Sequence, residues 1–187
     1  MNGDRSEILY KRFRERFRME PTKCQDALFR DVASFSTCDD ADILVVNGYA
    51  GTGKTSAMSA VTLALKDFGV RSVLLAPTGR AAKVFSSLSG RPAFTIHKHI
   101  YRQKSVGADG YGSFSLAPNK AVKTLFIVDE ASLIGIDAVQ QANSTSLFGT
   151  GNLLEDLVAF VRSGDDCRLV LVGDAAQLPP VGMEASP

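Results

Sequence analysis

The octapeptide Gly48-Tyr49-Ala50-Gly51-Thr52-Gly53-Lys54-Thr55 constrains this chain more than any other stretch. It satisfies every fixed position of the pattern G-x-x-x-x-G-K-[ST]. Before it runs Ile43-Leu44-Val45-Val46-Asn47, an apolar, β-branched segment that reads as a buried strand. After it, Ser56 to Phe68 carries apolar residues at helical spacing and Gly69 stops the run. Strand, loop and helix in that order separate a phosphate-binding loop from a chance Gly-rich turn.

The chemistry follows from the residue types. Phosphate oxygens are anionic and need many donors in a small space. Glycines let the backbone N–H groups from Gly48 to Gly53 turn inward with no Cβ in the way. The helix that starts near Lys54 points free N–H groups, Ser56 among them, and its positive end at the same spot. Lys54 adds a mobile charge for the outer phosphates. Thr55 offers a hydroxyl to Mg²⁺, a cation that prefers oxygen ligands.

Composition bounds the rest. The 187 residues suffice for one domain and are short for two. At 45% hydrophobic and 22% charged the chain has ordinary globular composition. No apolar run approaches the roughly 20 residues of a membrane span, and the charged N-terminus does not read as a signal peptide. Cys24, Cys38 and Cys167 lack metal-ligand spacing and cannot all pair, which fits a reduced, cytoplasmic chain. His97 and His99 stand two apart, so no zinc site is expected. Residues 1–24 hold seven basic and four acidic residues, a surplus of +3 set against −2 for the remainder. A basic helix of this kind can touch nucleic acid. The plainer reading, which we favour, docks Ile8, Leu9, Phe13 and Phe17 on the body and leaves the charges solvated.

Taken in order, residues 5–18 form an amphipathic helix that Pro21 breaks. Thr22 is an N-cap for a second helix, with Gln25 as its capping-box partner. The Gln25 amide has a second reading, since it can both donate to and accept from an adenine ring. Arg71-Ser72-Val73-Leu74-Leu75-Ala76 is another buried strand, ended by Pro77. It empties into Thr78-Gly79-Arg80, where ligands sit on an open α/β sheet. Thr78 there either holds a nucleic-acid phosphate or simply caps the helix that follows. Thr95 to Tyr101 reads as a helical turn. Residues 102–120 leave the sheet as a small hairpin around Asp109-Gly110. Tyr111, Phe114 and Leu116 on it either stack on bases or pack on their own domain.

Thr124-Leu125-Phe126-Ile127-Val128-Asp129-Glu130 is a third strand ending in two acids, a Walker B pattern. Asp129 suits the Mg²⁺ shell beside Thr55, and Glu130 suits orienting and deprotonating a water. A helix is expected from Ala131 to Gln141, a flexible insert over 142–152, and a helix over 153–163. Cys167 to Val172 is a fourth strand. It leads to Asp174 and Gln177, whose neutral amide can sense a γ-phosphate.

Together these stretches resemble the first RecA-like motor domain of superfamily 1B helicases of the RecD-like group (RecD and Dda). The resemblance covers the chain from about Thr22 onward. Gln25 matches the Q motif, Gly48–Thr55 motif I, Ala76-Pro77-Thr78-Gly79-Arg80-Ala81-Ala82 motif Ia and Thr95-Ile96-His97 the T-I-H element. Val128-Asp129-Glu130-Ala131-Ser132 matches motif II, and Gly173-Asp174-Ala175-Ala176-Gln177-Leu178-Pro179-Pro180-Val181 motif III. It implies a P-loop NTPase fold, a three-layer α/β/α sandwich with a mainly parallel sheet over residues 22–187, preceded by a basic helix over 1–21. Residues 102–120 would be the small 1B insertion. ATP and Mg²⁺ would be the cofactors, with Asp174 beside the nucleotide. Single-stranded DNA would run past Pro77, Thr78, Gly79, Arg80, Thr95 and His97, and translocation would be 5′ to 3′. The family pairs this domain with a second RecA-like domain, and nothing after Pro187 supplies one, so the chain is expected to be a fragment that binds nucleotide and turns it over very slowly. A place in a larger DNA-repair complex, as for the α-subunit of exodeoxyribonuclease V, is also implied. The competing class is a nucleotide-gated DNA-binding module without turnover, which has no use for Glu130. A small-molecule kinase has no job for GDAAQLPPV, and GTPase function lacks an N-K-x-D element.

Overall fold

A computed structural model of the chain describes residues 2–38, 41–49, 51–106, 112–134 and 148–174. Two helices come first, α1 (Asn2–Phe17) and α2 (Lys23–Thr37), followed by β1 (Ile43–Asn47), α3 (Lys54–Asp67), β2 (Arg71–Ala76) and α4 (Gly79–Ser89). Next come β3 (Ala93–Thr95), α5 (Ile96–Ile100), β4 (Tyr101–Val106), β5 (Gly112–Leu116), β6 (Thr124–Val128), α6 (Leu153–Arg162) and β7 (Arg168–Gly173). The four apolar runs seen in the sequence are β1, β2, β6 and β7. They join β3 in a five-stranded sheet of order β1-β7-β6-β2-β3. Every adjacent pair in it is parallel.

Alternation along each strand sends successive side chains to opposite faces. Leu125 and Ile127 of β6 thus join one core with Leu74, Val170 and Val172, covered by α1, α2 and α3 through Phe13, Phe29, Met58, Val61 and Leu65. Phe126 and Val128 join the other, with Leu75, Leu169 and Leu171, covered by α5 and α6 through Ile96, Ile100, Leu157 and Phe160. Helices on both faces of a parallel sheet are the three-layer α/β/α arrangement. No helix among the described residues is long and apolar enough to cross a membrane. Cys24, Cys38 and Cys167 form no disulfide among the described residues.

The first helix packs on this domain. Leu9, Phe13 and Phe17 are buried with α2 and α3 as expected, but Ile8 is 47% exposed and Tyr10 takes the inner place. Three of its arginines, Arg12, Arg14 and Arg16, are engaged within the chain. Arg16 reaches Asp67 at 2.5 Å and Arg12 at 3.4 Å, while Arg14 reaches Glu20 at 2.7 Å. These contacts favour the plain reading over a nucleic-acid contact for that helix.

Three sequence expectations shift. Ala93-Phe94-Thr95 pairs with Leu74–Ala76 as a three-residue strand, where only a turn was legible. The hairpin pairs from Tyr101 to Leu116, and its turn, with Asp109, Gly110 and Tyr111, lies outside the described residues. Phe114 there stacks on Phe148 at 4.6 Å, so that aromatic packs on its own domain. After β6 the chain makes a single 3₁₀ turn, Ala131–Leu133, and Ile134 is extended at φ −70°, ψ 109°, so no continuous helix starts at Ala131. Residues 135–147, with most of the expected insert, lie outside the described residues.

Candidate nucleotide-binding site

The register aligns the carboxyl ends of β1 and β7, Asn47 opposite Gly173. The Gly48 N–H donates to the Gly173 carbonyl at 3.2 Å, so the loop leaves the sheet anchored to its neighbour. The chain then turns through Gly51 and reaches Gly53 at φ 77°. Two features favour glycine at position 53. It is left-handed at the N-cap of α3, and a Cβ on it would sit 2.6 Å from Nε2 of Gln25. The first turn of α3 holds no acidic residue, so its positive end is left for an anion. Lys54 Nζ donates to the carbonyls of Gly48 and Tyr49 at 2.5 and 2.7 Å. Tyr49 is 74% exposed on the lip of the loop. The Thr52 hydroxyl donates to the Tyr49 carbonyl at 2.8 Å, closing the turn. Ser56 is half-buried in the first turn of α3, and Ala50 lies outside the described residues.

Gln25 stands behind this loop with both ends of its amide in use. Oε1 accepts from the Thr22 N–H at 3.0 Å, and Nε2 donates to the Thr52 carbonyl at 2.9 Å. The Gln25 N–H in turn donates to Thr22 Oγ1, completing the capping box. Of the two readings of this residue, the capping one is realised in these contacts.

Asp129 follows the last residue of β6, with its N–H on the Leu75 carbonyl at 3.0 Å. It is 3% exposed. Burial pushes its carboxyl above the usual range and the nearby Glu130 charge adds to that, while the Thr55 hydroxyl donating to it and the Lys54 charge pull the other way. Thr55 and Asp129, from two different elements, thus bring two oxygen donors together. Glu130 has φ 56°, a left-handed backbone that a non-glycine residue adopts at a cost. Asp174, at the end of β7, is buried. A Cβ on Gly173 would approach the Ser132 N–H at 3.1 Å, so β7 and the turn after β6 are in close contact there. Gln177 lies outside the described residues.

A cavity of about 310 Å³ opens at this sheet edge, lined by Thr55, Thr78, Arg80, Ala81, Asp129 and Glu130 among others. Thr78 is the N-cap of α4, its oxygen accepting from the Ala81 N–H at 3.2 Å, and Pro77 before it is half-buried. A second groove of about 480 Å³, also bordered by α4, is lined by Gly79, Lys83, Phe94, Thr95 and Lys98. Thr95 is the N-cap of α5, accepting from the Lys98 N–H at 3.3 Å. His97 is not part of this groove and packs edge-on against Phe148 at 5.2 Å. Lys83, Phe94 and Lys98 carry no signal in the sequence beyond charge and size. Nor does Asp156, a 1% exposed carboxylate that accepts from the Tyr101 hydroxyl at 2.6 Å and the Thr150 N–H at 3.0 Å. In sequence it reads as an ordinary acid in the first turn of α6.

A glycine-rich loop between strand and helix, with a buried acid on a nearby parallel strand bonded to the residue after the loop lysine, defines a P-loop NTPase domain of the RecA-like kind. The chain belongs to the AAA domain family, whose model matches residues 23–186. It is 36% identical over 139 residues to the ATP-dependent RecD2 DNA helicase of Deinococcus radiodurans, covering 74% of this chain and 16% of that protein. It is 46% identical over 55 residues to the ATP-dependent DNA helicase dda of Enterobacteria phage T4, covering 29% of this chain and 12% of that protein. An uncharacterized protein of Methanocaldococcus jannaschii is 30% identical over 149 residues, covering 74% of this chain and 11% of its own length. The kinship with RecD-like superfamily 1 motor domains that the motifs imply is the kinship these helicases show. The chain spans about a sixth or less of the curated relatives it matches.

Proposed function

We propose that this chain is the ATP-binding motor domain of an ATP-dependent 5′-to-3′ DNA helicase or translocase of RecD-like kind. ATP hydrolysis would drive movement along single-stranded DNA in a longer protein that also holds a second RecA-like domain. The observation that carries this reading is the convergence of Thr55, Asp129 and Glu130 on one cavity beside the Lys54 loop. In this reading the backbone of residues 48–53 and Lys54 hold the phosphates, with Ser56 and Asp174 close by. The oxygen donors of Thr55 and Asp129 suit Mg²⁺, and a buried carboxylate with a raised pKa gains from a cation. When bound, that ion neutralises phosphate charge. Glu130 orients and deprotonates the attacking water, and Gln177 senses the γ-phosphate. Gln25 acts on the nucleotide through the loop it holds. Single-stranded DNA runs past Pro77, Thr78, Gly79, Arg80 and Thr95, with His97 supporting that surface. Residues 102–120 form a 1B-like insertion on a domain that runs from residue 22, with α1 as an appended basic helix. The setting is cytoplasmic, within a DNA-repair or recombination assembly.

The test is thermal melting of the 187-residue chain with Mg²⁺ and ATP, ADP or GTP, beside Lys54→Ala. A ligand at 100 times its Kd adds about 2.7 kcal/mol. An adenine-selective shift in wild type that is lost in Lys54→Ala, with the fold retained, supports the assignment. No shift with any nucleotide rejects it for this chain. An arginine from a second domain is worth roughly 10³–10⁵ in rate in related NTPases, so hydrolysis by the chain alone is very slow. Steady DNA-stimulated turnover would refute that.

A further inference from the structure

We propose that the cavity at the amino-terminal edge of the sheet is a docking site for an acidic peptide segment of another protein, one that carries an apolar side chain between its carboxylates. The site lies at the opposite edge from the nucleotide loop, so it adds a partner surface to the motor-domain reading and stands independently of it.

The cavity measures about 920 Å³, a volume within the range of ordinary ligand clefts. It opens where strands begin. Arg71, Thr124 and Arg168 are the first residues of β2, β6 and β7, and all three line it. β2 is six residues long, so roughly 20 Å of strand separates this edge from the one that carries the phosphate loop. Part of the lining is apolar and open. Ile8 of α1, Phe68 at the end of α3 and Val122 before β6 line the cavity, and they are 47%, 47% and 40% exposed. Three large apolar side chains left half-open around one hollow mark an interaction site, where singly scattered ones would not.

Charge selects the occupant. Arg5, Arg71, Lys123 and Arg168 line the cavity against a single carboxylate, Asp166. Arg5, Arg71 and Lys123 are exposed, and their side chains make no ion pair or hydrogen bond among the described residues. Arg168 is held in place by donating to the Phe35 and Cys38 carbonyls. Asp67 and Glu7, next in sequence to Phe68 and Ile8, are engaged by Arg12 and Arg16 and by Lys11. A concave surface with low-dielectric walls concentrates such a surplus of positive charge. Carboxylates answer the cations, and an apolar side chain between them answers Ile8, Phe68 and Val122. Nucleic acid would satisfy the cations alone, since a phosphodiester chain gives Ile8 and Val122 no apolar surface to bury against. A second copy of this chain fits worse, because a two-fold contact would lay the same cations on one another.

The experiment is fluorescence anisotropy on the 187-residue chain at low salt. The probes are labelled synthetic peptides in which a single leucine, isoleucine or phenylalanine is flanked on both sides by aspartate and glutamate. Peptides with amides in place of the acids, peptides with serine in place of the apolar residue, and oligo-dT are the controls. An acidic peptide of the set should bind with a Kd of about 10–100 µM, and both control peptides should bind more weakly. Arg71→Glu and Lys123→Glu should each weaken it by about fivefold or more, since reversal turns an attraction into a repulsion. Ile8→Gln should weaken it by a similar factor through lost apolar burial, about fivefold. Circular dichroism confirms that each variant is folded. Saturating Mg²⁺–ADP should leave the peptide affinity unchanged. The inference is overturned if no peptide binds at about 1 mM, or if the variants bind as wild type does. Displacement by Mg²⁺–ADP would place the peptide in the phosphate loop and overturn it too. If oligo-dT alone binds and loses affinity in Arg71→Glu and Lys123→Glu, the cavity takes nucleic acid and the inference falls. A dimer in sedimentation that dissociates in Arg71→Glu would make a second copy the occupant, with the same consequence.

Discussion

Gln25 offers the sharpest test, because one amide serves two structures at once. Gln25→Ala removes the bond from the Thr22 N–H at 3.0 Å and the bond to the Thr52 carbonyl at 2.9 Å. Each is worth about 1 kcal/mol, and a partner left unpaired in this mostly buried spot adds to the loss, for a total of about 2–3 kcal/mol. In a chain of this size each kcal/mol moves Tm by about 2–4 °C, so Tm should fall by about 5–10 °C. Gln25→Glu separates the two jobs. Its carboxylate still accepts from Thr22 and suits a helix N-terminus, but it cannot donate to Thr52 and repels that carbonyl. Gln25→Glu should therefore melt closer to wild type than Gln25→Ala while losing most of the Mg²⁺–ADP-dependent shift. Melting curves for the three proteins with and without Mg²⁺–ADP decide the matter. If Gln25→Ala melts within about 1 °C of wild type yet loses its nucleotide response, this accounting is wrong and the amide works on the base.

Two further outcomes follow from buried acids. Asp129 has its pKa raised in the folded chain, so its contribution to stability is greatest below the ordinary carboxylate pKa and is lost as pH rises through the folded value. Asp129→Asn should then melt above wild type near pH 7.5, the gap closing as pH falls toward 4, while Mg²⁺ no longer increases its stabilisation by nucleotide. Asp156→Ala leaves the Tyr101 hydroxyl and the Thr150 N–H without their shared acceptor, and should cost about 3 kcal/mol in urea unfolding. A cost below about 1 kcal/mol would show that water replaces the carboxylate there.

What the sequence made legible has a physical logic. β6 and β7 are buried along nearly their whole length, which demands unbroken apolar runs, and such runs are visible without a structure. The run of β1 also reads as a buried strand, but β1 lies at the edge of the sheet and Val45 is 57% exposed. β3 has three residues and one strand partner, too few to leave a pattern. The loop, the Asp129-Glu130 pair and the Thr22–Gln25 box are local signatures whose chemistry needs fixed residue types at fixed spacing. The placing of Arg80 and Glu130 on one cavity is different. Fifty residues separate them, and only the parallel register of β2 against β6 puts their loops side by side. The Tyr101–Asp156 pair spans a similar gap and was invisible for the same reason. Ile8 and Tyr10 exchanged places because helical periodicity gives the width of an apolar face more reliably than its centre.

The strand that feeds the phosphate loop is also the outermost of the sheet among the described elements. The Asp42 carbonyl accepts from Leu169, and the Gly48 N–H donates to Gly173, so the even-numbered residues of this stretch bond toward β7. By alternation the amides of Ile43, Val45 and Asn47 point away from it. In deuterated buffer those three should exchange their protons far sooner than Leu44 and Val46. Among the described residues the loop thus hangs from a single seam, with a row of donors on its outer side that no described strand pairs. Any strand laid along that row would slow three known amides at once, giving a readout of docking at the site's own support that needs neither nucleotide nor DNA.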